Sequence, residues 1–433
     1  MTSRLTTLTG LLEQVPIFKR TPIYTPSIVL NTRAMAPRRV LHSMPSVLMR
    51  AGTSKGLFIH RANLPESQSD WAQAIVAAMG SCYADPKQID GLGGGSSVTS
   101  KVAVIAPSAH SEIDIDYTFV QVAVGEEKID LSGNCGNMVS GVGPFAVQEN
   151  LVCAEAGART IDVRILNTNT NRVIVETIEL DEDGRVVEDG ECHIPGVAAP
   201  GAPIKVAFVE PAGSMTGEMF PTGRLSEEIE VSAVEGLESF KAEVTIVDCA
   251  NPFVLIDVSS LPGVVAQNAE LQAQVVEAIR CESAVRMGLA HTVEEASNTR
   301  GTPKAAILMS SHTSKSDLKV RAYSMGKPHP SLQLTGGVCL AAAACIEHTV
   351  PYRLRMASAR GLATVPFTPS PVTDSGFMLA TSEKEDTVRL EHSRGVMTMD
   401  VRKSLTKNGV SIEQVSGVRT ARRLFEGNVL YYA

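Results

Sequence analysis

Leu131-Ser-Gly-Asn-Cys-Gly-Asn-Met-Val-Ser-Gly-Val-Gly-Pro-Phe-Ala146 joins a polar, Gly-rich turn directly to a run of small apolar residues. A second stretch, Leu334-Thr-Gly-Gly-Val-Cys-Leu-Ala-Ala-Ala-Ala-Cys345, has the same order of features. Each predicts a helix that is apolar on every side, and such a helix belongs in the interior of a domain. The shared order suggests an internal duplication, with one central helix wrapped by sheet in each half.

The rest of the chain predicts an α/β (α+β) protein with curved, mixed β-sheets, because short β-rich runs alternate with turns and a few helices. Residues 268–288 predict a helix with Asn268 as its N-cap. The Pro- and Gly-rich stretch 193–203 marks a domain boundary. We therefore predict an N-terminal extension at 1–43, a first domain at 44–203 to which 417–433 returns, and a second domain at 204–416.

The composition excludes several classes of protein. Charged residues make up 20% of the 433 residues, are mixed along the chain and give a net charge of -8, which argues against nucleic acid as a partner. The longest apolar run, 338–346, is too short to span a bilayer. The eight cysteines form no CxxC pair and no zinc-like group with histidine, so we expect reduced thiols.

The first 43 residues differ from the rest of the chain. They contain six basic residues, one acidic residue and many Ser and Thr residues, a composition typical of a mitochondrial transit peptide. The alternative is a disordered tail with a chance bias in composition, which leaves the protein in the cytoplasm.

Lys101 closes the Gly-rich run Gly91-Leu-Gly-Gly-Gly-Ser-Ser-Val-Thr-Ser-Lys101. The run does not fit a P-loop, since Ser100 precedes the lysine and Val102 follows it. It instead predicts a turn whose amides and hydroxyls hold a carboxylate. The lysine then begins an apolar strand, where desolvation would make it a usable base; the alternative is an edge lysine that extends to water.

Cys135 lies at the predicted start of the first central helix, where a thiol is activated and anions are attracted. Its polar neighbours Asn134, Gly136 and Asn137 are typical of a cavity lining, although a small buried cysteine is the alternative. A cluster at Arg50, Thr53, Ser54 and Lys55 is typical of a carboxylate site. His329 and Asn251 lie in turns near the second helix and are weaker candidates.

These motifs resemble the PrpF family. The resemblance rests on Met49-Arg-Ala-Gly-Thr-Ser-Lys-Gly56, Gly93-Gly-Gly-Ser-Ser-Val-Thr-Ser-Lys101, Ser132-Gly-Asn-Cys-Gly-Asn137, Asp248-Cys-Ala-Asn-Pro252, Thr335-Gly-Gly-Val-Cys339 and Arg419-Thr-Ala-Arg422, and covers residues 45–433. It implies a diaminopimelate-epimerase-like fold of two similar domains, each a curled mixed sheet around a central helix, with the site between them. Ala51 and Cys249 replace residues that are more usual at their positions.

The resemblance also implies a function. Lys101 and Cys135 match the family's catalytic candidates, and we expect the substrate to be bound by a set from both halves: Arg50, Thr53, Ser54, Lys55, Ser97, Ser100, Asn134, Gly136, Asn137, Asn251, His329, Thr335, Gly336 and Gly337. Cys339 lies a turn too deep in its helix to pair with Cys135 as in a two-cysteine racemase.

The expected activity is a cofactor-independent isomerisation that shifts an allylic proton and a double bond in a small tricarboxylate, as in aconitate or 2-methylaconitate. The alternatives are keto–enol tautomerisation of a 4-oxalomesaconate-like acid and non-catalytic tricarboxylate binding by an accessory protein. The expected partner is a small di- or tricarboxylate, with no metal, no nucleic acid and no membrane, and a homodimer stays open.

Overall fold

A computed structural model describes residues 39–232, 234–362, 384–406 and 409–432. The described residues from Val40 onward pack as one compact unit. Nearly all of the predicted targeting segment lies outside the described residues, so that prediction stays a prediction. The boundary predicted between the two domains also stays a prediction.

Within the described residues, strands dominate the secondary structure. Those of the first part of the chain are β1 (Leu41–Ala51), β2 (Ser54–His60), β3 (Lys101–Pro107), β4 (Ile115–Val122), β5 (Ile129–Asp130), β6 (Thr160–Asn167), β7 (Arg172–Glu179) and β8 (Ile204–Val209). The later strands are β9 (Glu227–Val231), β10 (Phe240–Asp248), β11 (Pro252–Asp257), β12 (Lys304–Ser310), β13 (Leu318–Ser324), β14 (Lys327–Pro328), β15 (Lys384–His392), β16 (Gly395–Thr406), β17 (Gly409–Arg419) and β18 (Ala421–Tyr432).

The helices of the described ranges fall between these strands. They are α1 (Trp71–Met79), α2 (Gly136–Val139), α3 (Val142–Gln148), α4 (Gly263–Gln267), α5 (Ala269–Arg286), α6 (Val293–Asn298), α7 (Leu334–Ala343) and α8 (Val350–Leu362). The N-cap predicted for α5 is confirmed, because the Asn268 side chain accepts hydrogen bonds from the amides of Glu270 and Leu271.

The strand pairing shows the internal duplication directly. From β1 to β8 the pairs are antiparallel (β1–β2), parallel (β2–β3), antiparallel (β3–β4), parallel (β4–β6) and then antiparallel twice (β6–β7, β7–β8). The series from β10 to β17 repeats these modes in the same order. The short strands β5 and β14 are also counterparts, since each pairs with the strand before it and precedes a central helix.

The last two strands join the halves. β17 pairs with β8, and β18, which follows it almost immediately, pairs along its full length with β1. β18 therefore lies against β1, whereas the predicted assignment of 417–433 to the first domain stays a prediction.

The central helices are apolar on every side, as their sequences predict. Every residue of α7 is buried, and Met138 of α2 and Phe145 of α3 belong to the same apolar core. The first helix is broken, however, because Ser140 ends α2 by donating from its hydroxyl to the Asn137 carbonyl at 2.8 Å. Pro144 then lies in the first turn of α3, where it lacks only an amide that would have no helical partner.

The outer faces of the sheets are covered by α1 and α5. Trp71, Ile75 and Met79 of α1 pack on one apolar cluster, and Val275 and Ile279 of α5 on another. All eight cysteines lie in the described ranges and are free thiols. No helix of the described ranges is both long and apolar enough to cross a membrane.

Candidate active site

The starts of the two central helices meet. A methyl group added at Gly136 would lie 2.9 Å from the Leu334 Cβ and 3.0 Å from the Thr335 amide nitrogen. The first distance is shorter than real Cβ atoms show and the second is tighter than nine in ten real Cβ contacts, so the close approach of α2 to α7 favours glycine at this position. The turns that precede the two helices therefore face one space.

A cavity occupies this space. It contains about 510 Å³ of empty volume when the solvent at its open mouth is counted. Side chains and backbone from both halves line it: Ser54, Ser97, Lys101, Phe119, Gln121, Asp130, Gly133, Asn134, Cys135, Asn137, Gly301, Lys304, Ser324, Met325, His329, Gln333 and Thr335.

Lys101 is buried at the start of β3, with 7% of its surface exposed. Its Nζ donates to the Gln121 Oε1 at 2.6 Å and lies 4.8 Å from the centre of the Phe119 ring. Burial lowers the pKa of Lys101, and the neighbouring Cys135 thiol opposes that effect. Of the two alternatives drawn from the sequence, the desolvated lysine is the one observed.

Cys135 is the N-cap residue of α2 and is half-buried at the cavity wall. Its contact with Lys101 places a thiol and an amine, two groups able to exchange protons, on the same side of the cavity. Because α2 is a single turn of four residues, it supplies local backbone amides and not the field of a long helix.

The second half contributes further groups to the cavity lining. The Thr335 hydroxyl and the Gln333 Oε1 are buried at the cavity without hydrogen-bond partners in the described structure. The His329 Nδ1 accepts from the Ser331 amide at 3.1 Å, and burial lowers the pKa of His329 to about 4, so this ring is neutral near pH 7. Cys339 is fully buried, donates to the Asn251 carbonyl at 3.0 Å and lies outside the cavity lining.

Unpartnered buried polar atoms are concentrated around the cavity. Among the described residues, those on or next to its wall are the Ser54 Oγ, Asn134 Oδ1, Asn251 Nδ2, Gln333 Oε1 and Thr335 Oγ1. A buried polar group without a partner costs on the order of 1–3 kcal/mol. Such a concentration is typical of a site whose hydrogen bonds are completed by a polar ligand.

Half of the sequence-predicted residues line the cavity, and the other half do not. The Arg50 Nη1 donates to the Thr420 carbonyl at 2.7 Å, and the Ser100 hydroxyl bonds the Gln88 side chain, so both side chains support backbone or loops. Lys55 also lies outside the lining. The resemblance implies that these three residues bind the substrate, and this stays a prediction. Their side chains do not line the cavity.

Other predicted residues support the lining from behind. The Thr53 hydroxyl accepts from the Asn137 Nδ2 at 3.0 Å, and the Asn251 Oδ1 accepts from the Asn134 amide at 3.0 Å. Gly336 and Gly337 allow close packing, because added methyl groups would meet the Phe253 ring and the Met397 sulfur.

Sequence reasoning missed Lys304, Gln121 and Asp130. Lys304 is the counterpart of Lys101, because each lysine opens a strand that pairs parallel with the preceding one. The internal repeat could have identified it. Gln121 and Asp130 had no comparable signal, since their place at the cavity depends on strand register.

The family model described as PrpF protein matches residues 41–376. The chain is 35% identical to the 4-oxalomesaconate tautomerase of Pseudomonas putida, over 89% of this chain and 95% of that protein. It is also 35% identical to the 2-methyl-aconitate isomerase of Shewanella oneidensis, over 70% of this chain and 81% of that one.

A solved structure gives the same result for the fold. The crystal structure of methylitaconate-delta-isomerase is similar with a TM-score of 0.64 and 33% identity, over 90% of this chain and 96% of that chain. The fold and site therefore define a diaminopimelate-epimerase-like isomerase, as the sequence motifs predicted. The chain belongs to the PrpF family.

Proposed function

We propose that the protein moves an allylic proton in a small tricarboxylate, converting cis-aconitate to trans-aconitate or shifting the double bond of 2-methylaconitate. The observation that carries this proposal is the contact between Lys101 and Cys135 on one wall of a cavity with unpartnered polar atoms. Membership of an isomerase family argues against the alternative of a non-catalytic accessory protein.

The proposed chemistry needs only proton transfer. Conjugation with the double bond and a carboxyl group acidifies the CH₂ protons of an aconitate-type acid, so a base can remove one. The carbanion that remains is a dienolate whose charge spreads onto a carboxylate. Lys101, as the free amine, takes the proton, and its return to the other allylic carbon shifts the double bond. Cys135 then acts as a second proton donor or as a polar wall.

The hydrogen-bonding groups of the cavity suit such a substrate. Ser54 and Thr335 present hydroxyls without partners from the two halves, and both can donate to carboxylate oxygens. His329 is neutral near pH 7, so it adds no charge to the cavity in which the proton is removed. No metal or redox step enters the proposed reaction.

A second candidate is keto–enol tautomerisation of a 4-oxalomesaconate-like acid. The 35% identity to a 4-oxalomesaconate tautomerase supports it, and the reaction would use the same base. Both reactions begin with removal of a proton from carbon, so the cavity wall at Lys101 serves either one.

A substrate panel distinguishes these candidates. Purified protein is incubated separately with cis-aconitate, trans-aconitate, 2-methylaconitate and 4-oxalomesaconate, and product formation is followed by proton NMR. We expect the largest kcat/KM with an aconitate-type acid. Turnover of 4-oxalomesaconate alone would replace the first proposal by the second, and turnover of none of these acids would contradict both.

We also propose a mitochondrial location, because residues 1–43 are basic and rich in Ser and Thr. A homodimer is a separate proposal. Residues 1–43 fused to a fluorescent reporter are expected to enter mitochondria, whereas a cytoplasmic signal would support the alternative location. Analytical ultracentrifugation decides between dimer and monomer.

A further inference from the structure

Lys304 and Lys101 occupy equivalent positions in the two halves. Lys304 is the first residue of β12 and Lys101 the first of β3, and both strands pair parallel with the preceding strand of their half. Both side chains line the same cavity. Each half of the chain thus contributes one lysine to the candidate active site.

Lys304 forms no salt bridge among the described residues, although the Asp130 carboxylate lines the same cavity and raises the pKa of Lys304. Its Nζ donates to the Asn134 carbonyl at 3.4 Å. Burial has the larger effect and lowers the pKa of Lys304 to about 8. A buried ammonium without a salt bridge is costly, and a carboxylate that enters the cavity would supply the missing partner.

Lys304 differs in charge from the other ionisable residues of the cavity lining. The lining residues that can be ionised are Lys101, Asp130, Cys135, Lys304 and His329. His329 is neutral near pH 7. Neither Arg50 nor Arg419 lines the cavity, since Arg50 donates to the Thr420 carbonyl and Arg419 to the Asn137 Oδ1.

The pair Lys101 and Cys135 cannot supply a net positive charge while one of its members acts as a base. An amine with a thiol is neutral, and an ammonium with a thiolate also sums to zero. Either form can accept a proton, but neither leaves a cation to stabilise the negative charge that develops on the substrate. Lys304 is the remaining cation of the described lining.

We propose that Lys304 binds, as an ammonium, the substrate carboxylate onto which charge spreads when the allylic proton is removed. Lys304 is then a catalytic residue in addition to Lys101 and Cys135, and the two lysines divide the work between proton transfer and charge stabilisation. This inference rests on the proposed function, because it requires that the substrate is a carboxylic acid that forms a dienolate.

Kinetics of three variants test the proposal. Lys304→Met removes the charge and keeps an unbranched side chain, Lys304→Arg keeps the charge, and Lys205→Met is a control at an exposed lysine of β8 outside the cavity. Removing one group that stabilises developing charge typically lowers kcat by about 10²–10³-fold. We expect a loss of this size in Lys304→Met, partial recovery in Lys304→Arg and unchanged kinetics in Lys205→Met.

The division of the loss between kcat and KM is decisive. A cation that interacts more strongly with the dienolate than with the substrate affects kcat, whereas one that only binds the ground state affects KM. A Lys304→Met enzyme with kcat within about threefold of wild type, whether or not KM rises, would overturn the proposal.

The pH profile provides a further readout. The titratable and charged groups that face Lys304 are Lys101, Cys135, Asp130, Cys339, His329, Arg300 and the paired Glu277 and Arg280 of α5. Because the free enzyme loses the Lys304 proton near pH 8, kcat/KM is expected to fall above that pH. Lys304→Arg should move this alkaline limb upward, and an unmoved limb would contradict the assignment.

Binding without turnover separates this proposal from the proposed function. Tricarballylate, the saturated analogue of aconitate, cannot isomerise, and its affinity is measured by isothermal titration calorimetry. We expect a loss of at least about tenfold in Lys304→Met, since a charge-assisted hydrogen bond contributes about 1.5–3 kcal/mol. If wild type and Lys304→Met bind tricarballylate equally, the role of Lys304 is contradicted, even if wild type isomerises aconitate. If Lys304→Met binds it more weakly but wild type isomerises none of the acids, the proposed function alone is contradicted.

Discussion

The two halves of this protein share their order of strand pairing but differ where their central helices begin. In the first half the N-cap residue is Cys135, a half-buried thiol in contact with Lys101. In the second half the corresponding turn ends at Gln333, and the nearest thiol, Cys339, is fully buried within α7. A symmetric backbone therefore carries an asymmetric set of chemical groups.

This difference shows how a duplicated fold can be suited to moving one proton along a carbon chain. A racemase with two thiols needs a proton donor on each face of the substrate, and that requires a symmetric site. Here the proton-transfer groups lie in the first half and Lys304 lies in the second, whereas both halves supply hydrogen-bonding groups. The predictions below test whether this division is real.

The largest effect is expected from removal of the proposed base. Lys101→Met should lower kcat by about 10²–10⁴-fold, because general base catalysis typically contributes a factor of that size. The variant removes a buried amine but also the hydrogen bond that Lys101 donates to the Gln121 Oε1, so we expect its stability to stay close to that of wild type. Steady-state kinetics and thermal unfolding measure the two effects, and a kcat within tenfold of wild type would exclude Lys101 as the base.

A smaller effect distinguishes the two thiols. Cys135→Ser should reduce activity, while Cys339→Ser should retain kcat and lower the stability of the core, because burial raises the pKa of Cys339 well above its usual value and keeps it out of proton transfer. Urea unfolding and kinetics of both variants check this. If Cys339→Ser loses as much kcat as Cys135→Ser without unfolding, the site is symmetric after all.

Close packing of the helix starts gives the next prediction. Gly136→Ala should destabilise the protein by about 1–3 kcal/mol, because the new methyl group would press on Leu334 and Thr335. Gly263→Ala is the matched control, since a methyl group there has nothing within 4 Å. Chemical denaturation compares them, and equal stability of the two variants would mean that the helices can separate without cost.

The smallest effect is expected on the stability of the protein at acidic pH, through His392 of the second half. Burial, with Arg419 adding to it, lowers the pKa of His392 from 6.5 to about 4. The folded state therefore binds fewer protons than the unfolded state in this window, so stability falls as the pH drops from 6.5 towards 4. His392→Gln should lose less stability than wild type between pH 7 and 4.5, as followed by the urea midpoint.

His110→Gln, at an exposed histidine, serves as the control for that measurement and should behave as wild type. A loss of stability on acidification that is the same in His392→Gln as in wild type would show that the titration of His392 does not matter for folding.

The sequence predicted the parts of the site that repeat or that belong to local motifs. Two Gly-rich turns before apolar helices and the N-cap of α5 were readable because each depends on neighbours in the chain, whereas the burial of Lys101 was one of two alternatives that the sequence left open. The break between α2 and α3 was not expected, although Gly141 and Pro144 mark it.

The rest of the site depends on distant contacts. Gln121 reaches Lys101 only because β3 and β4 pair in one register, and Asn134 is held by Asn251 from the other half. The pairing of β1 with β18 places the Arg50 side chain within hydrogen-bond distance of the Thr420 carbonyl. No pattern within one segment contains such information.

The central claim is that Lys101 removes an allylic proton from a bound tricarboxylate. Proton NMR of wild type and Lys101→Met with cis-aconitate in D₂O tests it most directly. We predict trans-aconitate or deuterium at the allylic carbon with wild type, and neither with Lys101→Met. Exchange that persists in Lys101→Met would contradict the claim, as would wild-type protein that exchanges no proton of cis-aconitate, trans-aconitate or 2-methylaconitate.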